Sequence, residues 1–250
     1  MEVHTHTHTA RKKWTHYFWE FLMLFLAVFC GFLAEYQLEH KIERDRGKEY
    51  AKTLYEDIKT DTANLQALIR VNKFITPKID SFRFMVQHYP IDSLPAGNWY
   101  YYGRFGTRYL QIAFQDATLQ QLKNSGGLRY FKNKNVVDAI ARYDQSCRVL
   151  QNQLEFQNPF YADILRLRDK LFNAYYLDEV MSLEISKGKI DSFKLRSMPL
   201  LSHEKEDFIQ YANICQIRSN NNKNLLTIKL ETLKSAEKLL EVLKGVYRLE

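Results

Sequence analysis

The chain has 250 residues, of which 46% are hydrophobic and 26% charged, a balance that excludes a disordered chain. Nine glycines and five prolines are few for this length, which argues against an all-β fold and favours long helices. The net charge of +7 does not indicate a nucleic-acid partner, because basic residues are interspersed with acids, as in KIERDR at 41–46, and form no patch of one sign.

The first nine residues, MEVHTHTHT, alternate histidine with threonine. In an extended segment this alternation places His4, His6 and His8 on one face, and imidazole binds zinc, copper or nickel. Three ligands on a tail rarely make a fixed site, and the pattern also suits a short strand that pairs with another chain. We therefore expect no metal and no cofactor, and keep these histidines as weak candidate ligands.

An uncharged stretch, FLMLFLAVFCGFLA, runs from Phe21 to Ala34. Alone it is short for a membrane span, which needs about 20 residues, but flanking Trp and Tyr residues favour the membrane interfaces and extend it. The segment 14–36 would form roughly 34 Å of helix, enough to cross a bilayer core. The residues that define this predicted transmembrane helix are Trp14, Tyr17, Trp19, Glu20, Phe21, Leu26, Cys30, Leu33 and Tyr36.

Three other interpretations of this stretch fit less well. A cleaved signal peptide ending at Ala34 would place bulky Phe32 where a small residue is needed. A lipoprotein signal at Cys30 fails because Phe29 precedes the cysteine. The core helix of a soluble protein would leave the flanking aromatic residues and the basic cluster at 11–13 unexplained.

Basic residues precede the span and set its predicted orientation. Arg11, Lys12 and Lys13 stand immediately before it, whereas the residues after it are mixed in charge. The positive-inside rule then places residues 1–13 in the cytoplasm and residues 37–250 outside it, in the periplasm of a host with two membranes. We expect a single-pass protein of the inner (cytoplasmic) membrane in contact with lipid.

Glu20 lies just inside the predicted cytoplasmic edge of the span. Acids within a membrane are candidate functional groups. Here the favoured interpretation is that the side chain reaches the interface or pairs with Lys13 or His16.

Beyond the span, hydrophobic residues recur at intervals of three and four through 38–86 and predict a long helix continuous with the span. Pro77 predicts a kink, or a restart capped by Thr76. The segment 88–98 predicts a loop, and 99–114 a small irregular or hairpin insertion. Further helices are predicted at 115–124, at 136–154, from Pro159 through Met181, and from Ser202 or His203 to the C-terminus. The predicted fold is mainly α, an N-terminal transmembrane helix continuing into an antiparallel bundle of long helices.

Two groups of side chains in the helical domain are candidate sites. If the last helix runs antiparallel to the first, polar residues inside the apolar stripes can form a buried cluster that fixes register. The members of this cluster are Asp61, Asn72, Arg218 and Asn222. Trp99, Tyr101 and Arg104 mark a possible ligand or lid region, although aromatic packing at the end of the bundle is favoured.

The three cysteines, Cys30, Cys147 and Cys215, have neither CxxC nor metal-ligand spacing. Cys147 and Cys215 fall on the apolar faces of predicted helices, so buried free thiols are favoured. A disulfide between them stays open for an oxidising compartment.

The stretch HTHTHTARKKWTHYFWEFLMLFLAVFCGFLAEYQLEHKIERDRGKEY, followed by LYEDIKTD, resembles a group of uncharacterised single-pass membrane proteins common in Bacteroidetes. A second stretch, FQDATLQQLKNSGGLRYFKNKNVVDAIARYD, is similar to the helix, Ser-Gly turn and short helix of related membrane domains of unknown function. The resemblance implies an inner-membrane anchor with a periplasmic domain and implies no activity.

The favoured function is that of an interaction or scaffold protein, a subunit of or docking partner for a membrane complex, with a protein partner or a second copy. One alternative is an extracytoplasmic ligand sensor that signals through a partner. Another is an accessory subunit of an ion-driven complex that uses Glu20. The sequence has no Gly-rich phosphate loop, no HExxH and no GxSxG, so we do not expect an enzyme.

Overall fold

The computed structural model describes residues 13–157, 159–185 and 188–249. The chain is 84% helical, and the described residues contain no strand, which confirms the mainly α prediction. The chain forms two compact units, Met1–Tyr50 and Ala51–Glu250. The predicted end of the membrane span, Tyr36, lies within the first of these units.

The helices account for most of both units. Their bounds are α1 Trp14–His88, α2 Ala96–Gly103, α3 Ala117–Asn124, α4 Lys134–Glu155, α5 Pro159–Leu171, α6 Ala174–Ile185, α7 Ile190–Lys194 and α8 Lys205–Tyr247.

The first helix, α1, begins in the N-terminal unit and ends in the C-terminal one. It runs through Pro77 without interruption, so the predicted restart does not occur. Pro77 removes a single backbone donor, while the fully buried Ile75 and Ile79 on either side keep the packed face in phase. The Thr76 hydroxyl does not cap a new helix but donates to the carbonyl of Asn72, one turn earlier.

The N-terminal unit is a single exposed helical segment in the residues described. It contains an 18-residue window with a mean hydropathy of 2.0, of which 0% is buried. The apolar side chains project all round the helix, since Phe21, Met23 and Leu33, which point in three different directions from its axis, are all exposed. By length and composition, this segment of α1 can cross a membrane.

The last helix, α8, runs antiparallel to α1, as predicted. Asn72 contacts Asn222, and Asp80, further along α1, contacts Ser219, which comes earlier in α8. The residue numbers therefore decrease along α8 as they increase along α1. Its first turn carries the acids Glu206 and Asp207, whose charge is favourable at the N-terminus of a helix.

Helices α4 and α5 follow one another along α8. The ring of Phe131, just before α4, lies 6.0 Å from that of Tyr247, and Lys170 in α5 donates to Asp207 at 2.6 Å. The α4 helix starts where the Asn133 side chain accepts from the backbone N–H of Asn135, an N-cap. The C-terminal unit is thus an antiparallel bundle of α1, α8 and the α4–α5 pair.

The predicted helix from Pro159 through Met181 is two helices. It breaks after Leu171, and the side chain of Asn173 accepts from the N–H of Tyr175 at the start of α6. The sequence predicted no helix between Met181 and Ser202, where the five-residue α7 lies. Its single buried side chain, Phe193, gives too little periodicity to predict a helix. The break changes the helical phase, so Tyr175 and Met181 face outward instead of into the core.

The segment 88–116 differs most from expectation. Where a loop and a hairpin were predicted, 3₁₀ turns at Ile91–Ser93 and Arg104–Thr107 flank the helix α2. The buried residues of α2, Ala96, Trp99, Tyr100 and Gly103, have helical spacing, a pattern that the aromatic-rich composition obscures. Only residues 108–116 are irregular, and they run back along the bundle: Tyr109 bonds to Leu154 and Gln115 to Asp61.

The larger hydrophobic core surrounds Phe82, at the end of the bundle where α2 packs. Aromatic rings pack around it mostly edge to face, a geometry that favours ring pairs. These rings belong to Trp99, Phe172, Phe208 and Tyr211. A smaller cluster of Leu65, Leu150, Leu154 and Leu225 holds the middle of the bundle.

Candidate functional site

All four members of the predicted polar cluster are buried, but they belong to three separate sites. Asn72 and Asn222 meet, as the antiparallel register requires. Asp61 and Arg218 bind other partners. A single four-residue cluster was therefore wrong, because Asp61 and Arg218 find partners on the irregular segment 108–116, on α4 or just after it, and spacing along α1 and α8 does not reveal these partners.

The first of these sites joins α1 to α8 through Asn72. Its Nδ2 donates to the backbone oxygen of Asn222 at 3.0 Å, and its Oδ1 accepts from Nζ of Lys229 at 3.0 Å. Lys229 is fully buried and has no carboxylate partner among the residues described. Burial, together with the positive charge of Arg218, lowers the pKa of Lys229 to about 8. Sequence reasoning missed Lys229, although it lies seven residues after Asn222, on the same helical face.

The second site is a buried carboxylate held between α1, α4 and the segment 108–116. Tyr143 donates to Asp61 Oδ2 at 2.6 Å, and the Gln115 N–H donates to Oδ1 at 2.9 Å. Burial raises the pKa of Asp61 above its usual 3.8, although both hydrogen bonds act in the opposite direction. Burial also raises the pKa of the neighbouring Cys147 thiol to about 12, so this thiol is not a nucleophile at neutral pH.

The third site surrounds Arg218 on α8. Its guanidinium donates to the Gln157 side chain and to the carbonyl of Arg108 at 3.0 Å. Burial lowers the pKa of Arg218, and the Nε2 of Gln157 is buried with no partner among the residues that the structure describes. These bonds fix the start of the segment 108–116 and the end of α4 against α8.

The predicted ligand region is part of the core. Trp99 is fully buried and donates to the carbonyl of Ile91 at 2.9 Å. Arg104 is also buried, lies 4.2 Å from the centre of the Phe105 ring and donates to Glu184 at 2.7 Å. Tyr101 is buried beside them, 5.1 Å from the Arg104 guanidinium. Aromatic packing is therefore the role of this region, and none of the three residues lines the groove described next.

A groove of about 800 Å³ lies on the outer face of α1. Its floor is one face of α1, from Asn72 to Met85, and its walls come from α8 on one side and from 94–102 on the other. The lining residues that bear on its chemistry are Lys73, Asp80, Phe84, Leu94, Tyr102 and Lys223. This volume lies within the range of small-molecule sites, about 300–1,000 Å³.

Asp80 is the acid that lines this groove. It accepts from Ser219 at 2.6 Å and Arg83 at 3.1 Å, and Lys223 lies 3.0 Å away. Burial raises the pKa of Asp80, but these donors outweigh it, so the pKa is lowered and the carboxylate stays charged at neutral pH.

The outward face of α6 carries large apolar side chains beside the polar Asp178 and Ser182. Tyr175, Met181 and Ile185 are 72%, 50% and 82% exposed, and Leu195, just after α7, is 74% exposed. The helix α7 packs on α6, where Arg196 binds Glu179. Exposed large apolar side chains bordered by polar residues are typical of protein–protein contact surfaces. We refer to Tyr175, Met181, Ile185 and Leu195 as the α6 face.

In the N-terminal unit, Glu20 lies 3.0 Å from Nε2 of His16, one turn earlier, which is one of the two partners considered for it. Lys13 is exposed. The other topological residues, Arg11 and Lys12, and the candidate ligands His4, His6 and His8 lie outside the described residues.

The residues described show no group of three or more His, Cys, Asp or Glu placed to hold a metal. Cys147 and Cys215 are buried free thiols, the favoured interpretation of their sequence positions, and Cys30 is an exposed free thiol.

The architecture defines an all-helical protein whose first helix carries an exposed apolar segment. No protein-family model, no curated protein and no solved structure matches the chain. The resemblance to the Bacteroidetes membrane proteins therefore stays a prediction.

Proposed function

We propose that this protein is a membrane-anchored docking protein. Residues 14–36 cross the inner (cytoplasmic) membrane once, the preceding residues lie in the cytoplasm, and the helical unit that begins at Ala51 lies in the periplasm. There it binds a protein partner, as a subunit of a membrane complex or as its docking site.

The observation that carries the anchor is the complete exposure of an apolar helical segment. None of its 18-residue window is buried, while the unit from Ala51 onward has its own core around Phe82. A helix that is hydrophobic on all sides is stable in water only when it is buried, and otherwise in lipid. The fold supplies nothing from the described residues to cover it, so lipid is the environment that fits.

The α6 face supports the docking role. It lies on the C-terminal unit, away from the apolar segment in sequence, and its four apolar side chains are at least half exposed. Burying such side chains contributes roughly 1.5–3 kcal/mol each, so their exposure is best accounted for by a partner that covers them.

A photo-crosslinking experiment in native membranes tests the docking role. A benzophenone amino acid replaces Ile185 in the full chain, and the matched control carries it in place of Lys134, an exposed residue of α4. The proposal predicts a discrete crosslinked product at position 185 and none at 134. The same pattern at both positions, or no product at 185, contradicts the docking role and leaves the anchor untouched.

A further inference from the structure

The groove on α1 is graded in polarity along its length. Asn72, Lys73 and Thr76 lie at one end, and Phe84 and Met85 at the other. Along the helix axis, Lys73 and Phe84 are separated by roughly 16 Å. The apolar end is closed by Tyr89 and Leu94. A ligand that fills the groove is therefore polar at one end and mainly apolar along the rest, where it passes the Asp80–Lys223 ion pair.

Positive charge predominates around the groove. Lys73 and Lys223 line it, and the Nζ atoms of Lys78 and Lys194 each lie 5.8 Å from the ring of Tyr102, a wall residue. Behind Asn72, at the polar end, is the buried Lys229. Asp80 opposes these lysines within the groove, and Asp191 binds Lys194 outside it. Because the cations outnumber the acids, the potential favours an anion.

The lysines in and around the groove favour a single chain with an anionic head group over the apolar face of a partner helix. An acyl chain is narrow and flexible, and it matches a surface lined by Pro77, Phe84, Met85, Leu94 and Leu226.

We propose that this groove binds a long-chain fatty carboxylate. The carboxylate lies at the polar end, within reach of the ammonium group of Lys73. Lys223, which pairs with Asp80, adds positive charge further along the groove. The acyl chain follows α1 over Pro77 and Ser81 to Phe84 and Leu94. The proposal goes beyond the docking function and depends on neither the anchor nor the α6 face.

Photoaffinity labelling of the full chain in lipid nanodiscs tests this site. The probe is dodecanoate with a diazirine at the end of its acyl chain, and the matched probe is the corresponding dodecylamine. The expected result is label on Phe84, Met85 or Leu94, with at least tenfold more labelling by the carboxylate than by the amine. Equal labelling by the two probes, or label scattered over the surface, overturns the proposal.

Two variants test the shape of the groove. Ser81→Trp fills its floor and should abolish labelling, whereas Gln87→Trp, on an exposed part of the same helix outside the groove, should leave it unchanged. Labelling that survives Ser81→Trp in a folded protein overturns the proposal.

Three charge changes test the head group without changing the apolar walls. The double variant Lys73→Glu and Lys223→Glu should reduce carboxylate labelling about tenfold, in line with the loss of two exposed ion pairs. Asp80→Asn should increase it a few-fold and should reduce labelling by the amine. Insensitivity to all three substitutions, with unfolding temperatures near the wild-type value, overturns the proposal.

Discussion

Arg218, Asn222 and Lys229 share one buried face of α8, four and seven residues apart. Neither cation has a carboxylate partner among the residues described: Arg218 bonds to Gln157 and to the Arg108 carbonyl, and Lys229 to Asn72. A buried cation without a counter-charge costs stability. We infer that these side chains specify which groups α8 meets, and so its register, at the expense of some stability.

Two asparagine substitutions separate register from stability. Asn222→Leu should leave the free energy of unfolding unchanged or raise it by about 1 kcal/mol, because Nδ2 of Asn222 is buried with no partner in the described part of the chain and Asn72 binds its backbone oxygen. Asn72→Leu should lower it by about 2–4 kcal/mol, because Lys229 loses its acceptor. Thermal and denaturant unfolding followed by circular dichroism measure both. A large loss in Asn222→Leu would contradict the assignment.

Lys229 predicts a pH dependence of stability. Burial lowers its pKa from 10.5 to about 8, so the unfolded chain binds this proton more tightly than the folded one. The penalty is fully present below pH 8 and is relieved as the pH rises towards 10.5, by on the order of 3 kcal/mol. Denaturant unfolding across this range should show the rise in wild type and in the exposed control Lys238→Met, but not in Lys229→Met. Identical pH profiles for all three proteins would exclude a depressed pKa.

For individual residues, the sequence could predict only those contacts that follow from the register between neighbouring helices. Polar residues that interrupt apolar stripes identified Asn72 and Asn222, and the antiparallel arrangement brings them together. The partner of Asp61, Tyr143, is 82 residues away on α4, and its position depends on how α4 packs against α1. Lys229 was missed because a lysine is normally exposed, so only its phase with Asn222 indicated burial.

The positions of α2 and of the 3₁₀ turn after it depend on how closely their backbone approaches neighbouring helices. A Cβ on Gly97 would meet the Phe193 carbonyl at 2.0 Å, and one on Gly106 would meet the Tyr211 hydroxyl at 2.4 Å. Tyr211 is fully buried and donates to the carbonyl of Gly103 at 2.6 Å. The absence of side chains at these positions lets this segment close over the aromatic core.

A matched pair of glycine substitutions tests this packing. Gly106→Ala should destabilise the protein by about 1–3 kcal/mol, because Tyr211 and Cys215 cannot both move away inside the core. Gly245→Ala, on α8 with open space around it, should stabilise by up to about 1 kcal/mol through helix propensity. Unfolding temperatures measure both changes. A neutral Gly106→Ala would show that the segment does not require this close approach.

The longest elements were the easiest to predict from the sequence, and the short ones around α2 the hardest. The apolar periodicity of α1, α4 and α8 extends over many turns, so each helix was predicted close to its true bounds. The α2 and α7 helices have eight and five residues, too few for periodicity to outweigh their Gly and aromatic content. The break at Phe172–Asn173 depends on the N-cap Asn173, and one asparagine is too weak a signal to predict the end of a helix when the apolar periodicity continues past it.

For the whole molecule, the two compact units differ in how they bury apolar residues. The unit from Ala51 onward buries its own, in the core around Phe82 and the smaller cluster around Leu65. The described part of the other unit buries none of its apolar window. The proposed membrane-anchored docking function therefore depends on lipid contact by residues 14–36 more than on any single contact in the bundle.

Alkaline carbonate extraction of membranes that contain the full chain tests this dependence most directly. Because residues 14–36 are proposed to cross the bilayer, the wild-type protein should remain in the membrane pellet. A Leu26→Arg, Phe29→Arg variant, with two charges near the middle of the span, should shift to the supernatant, since each charge costs roughly 2.5–3.5 kcal/mol there. Release of the wild-type protein into the supernatant would contradict the membrane anchor.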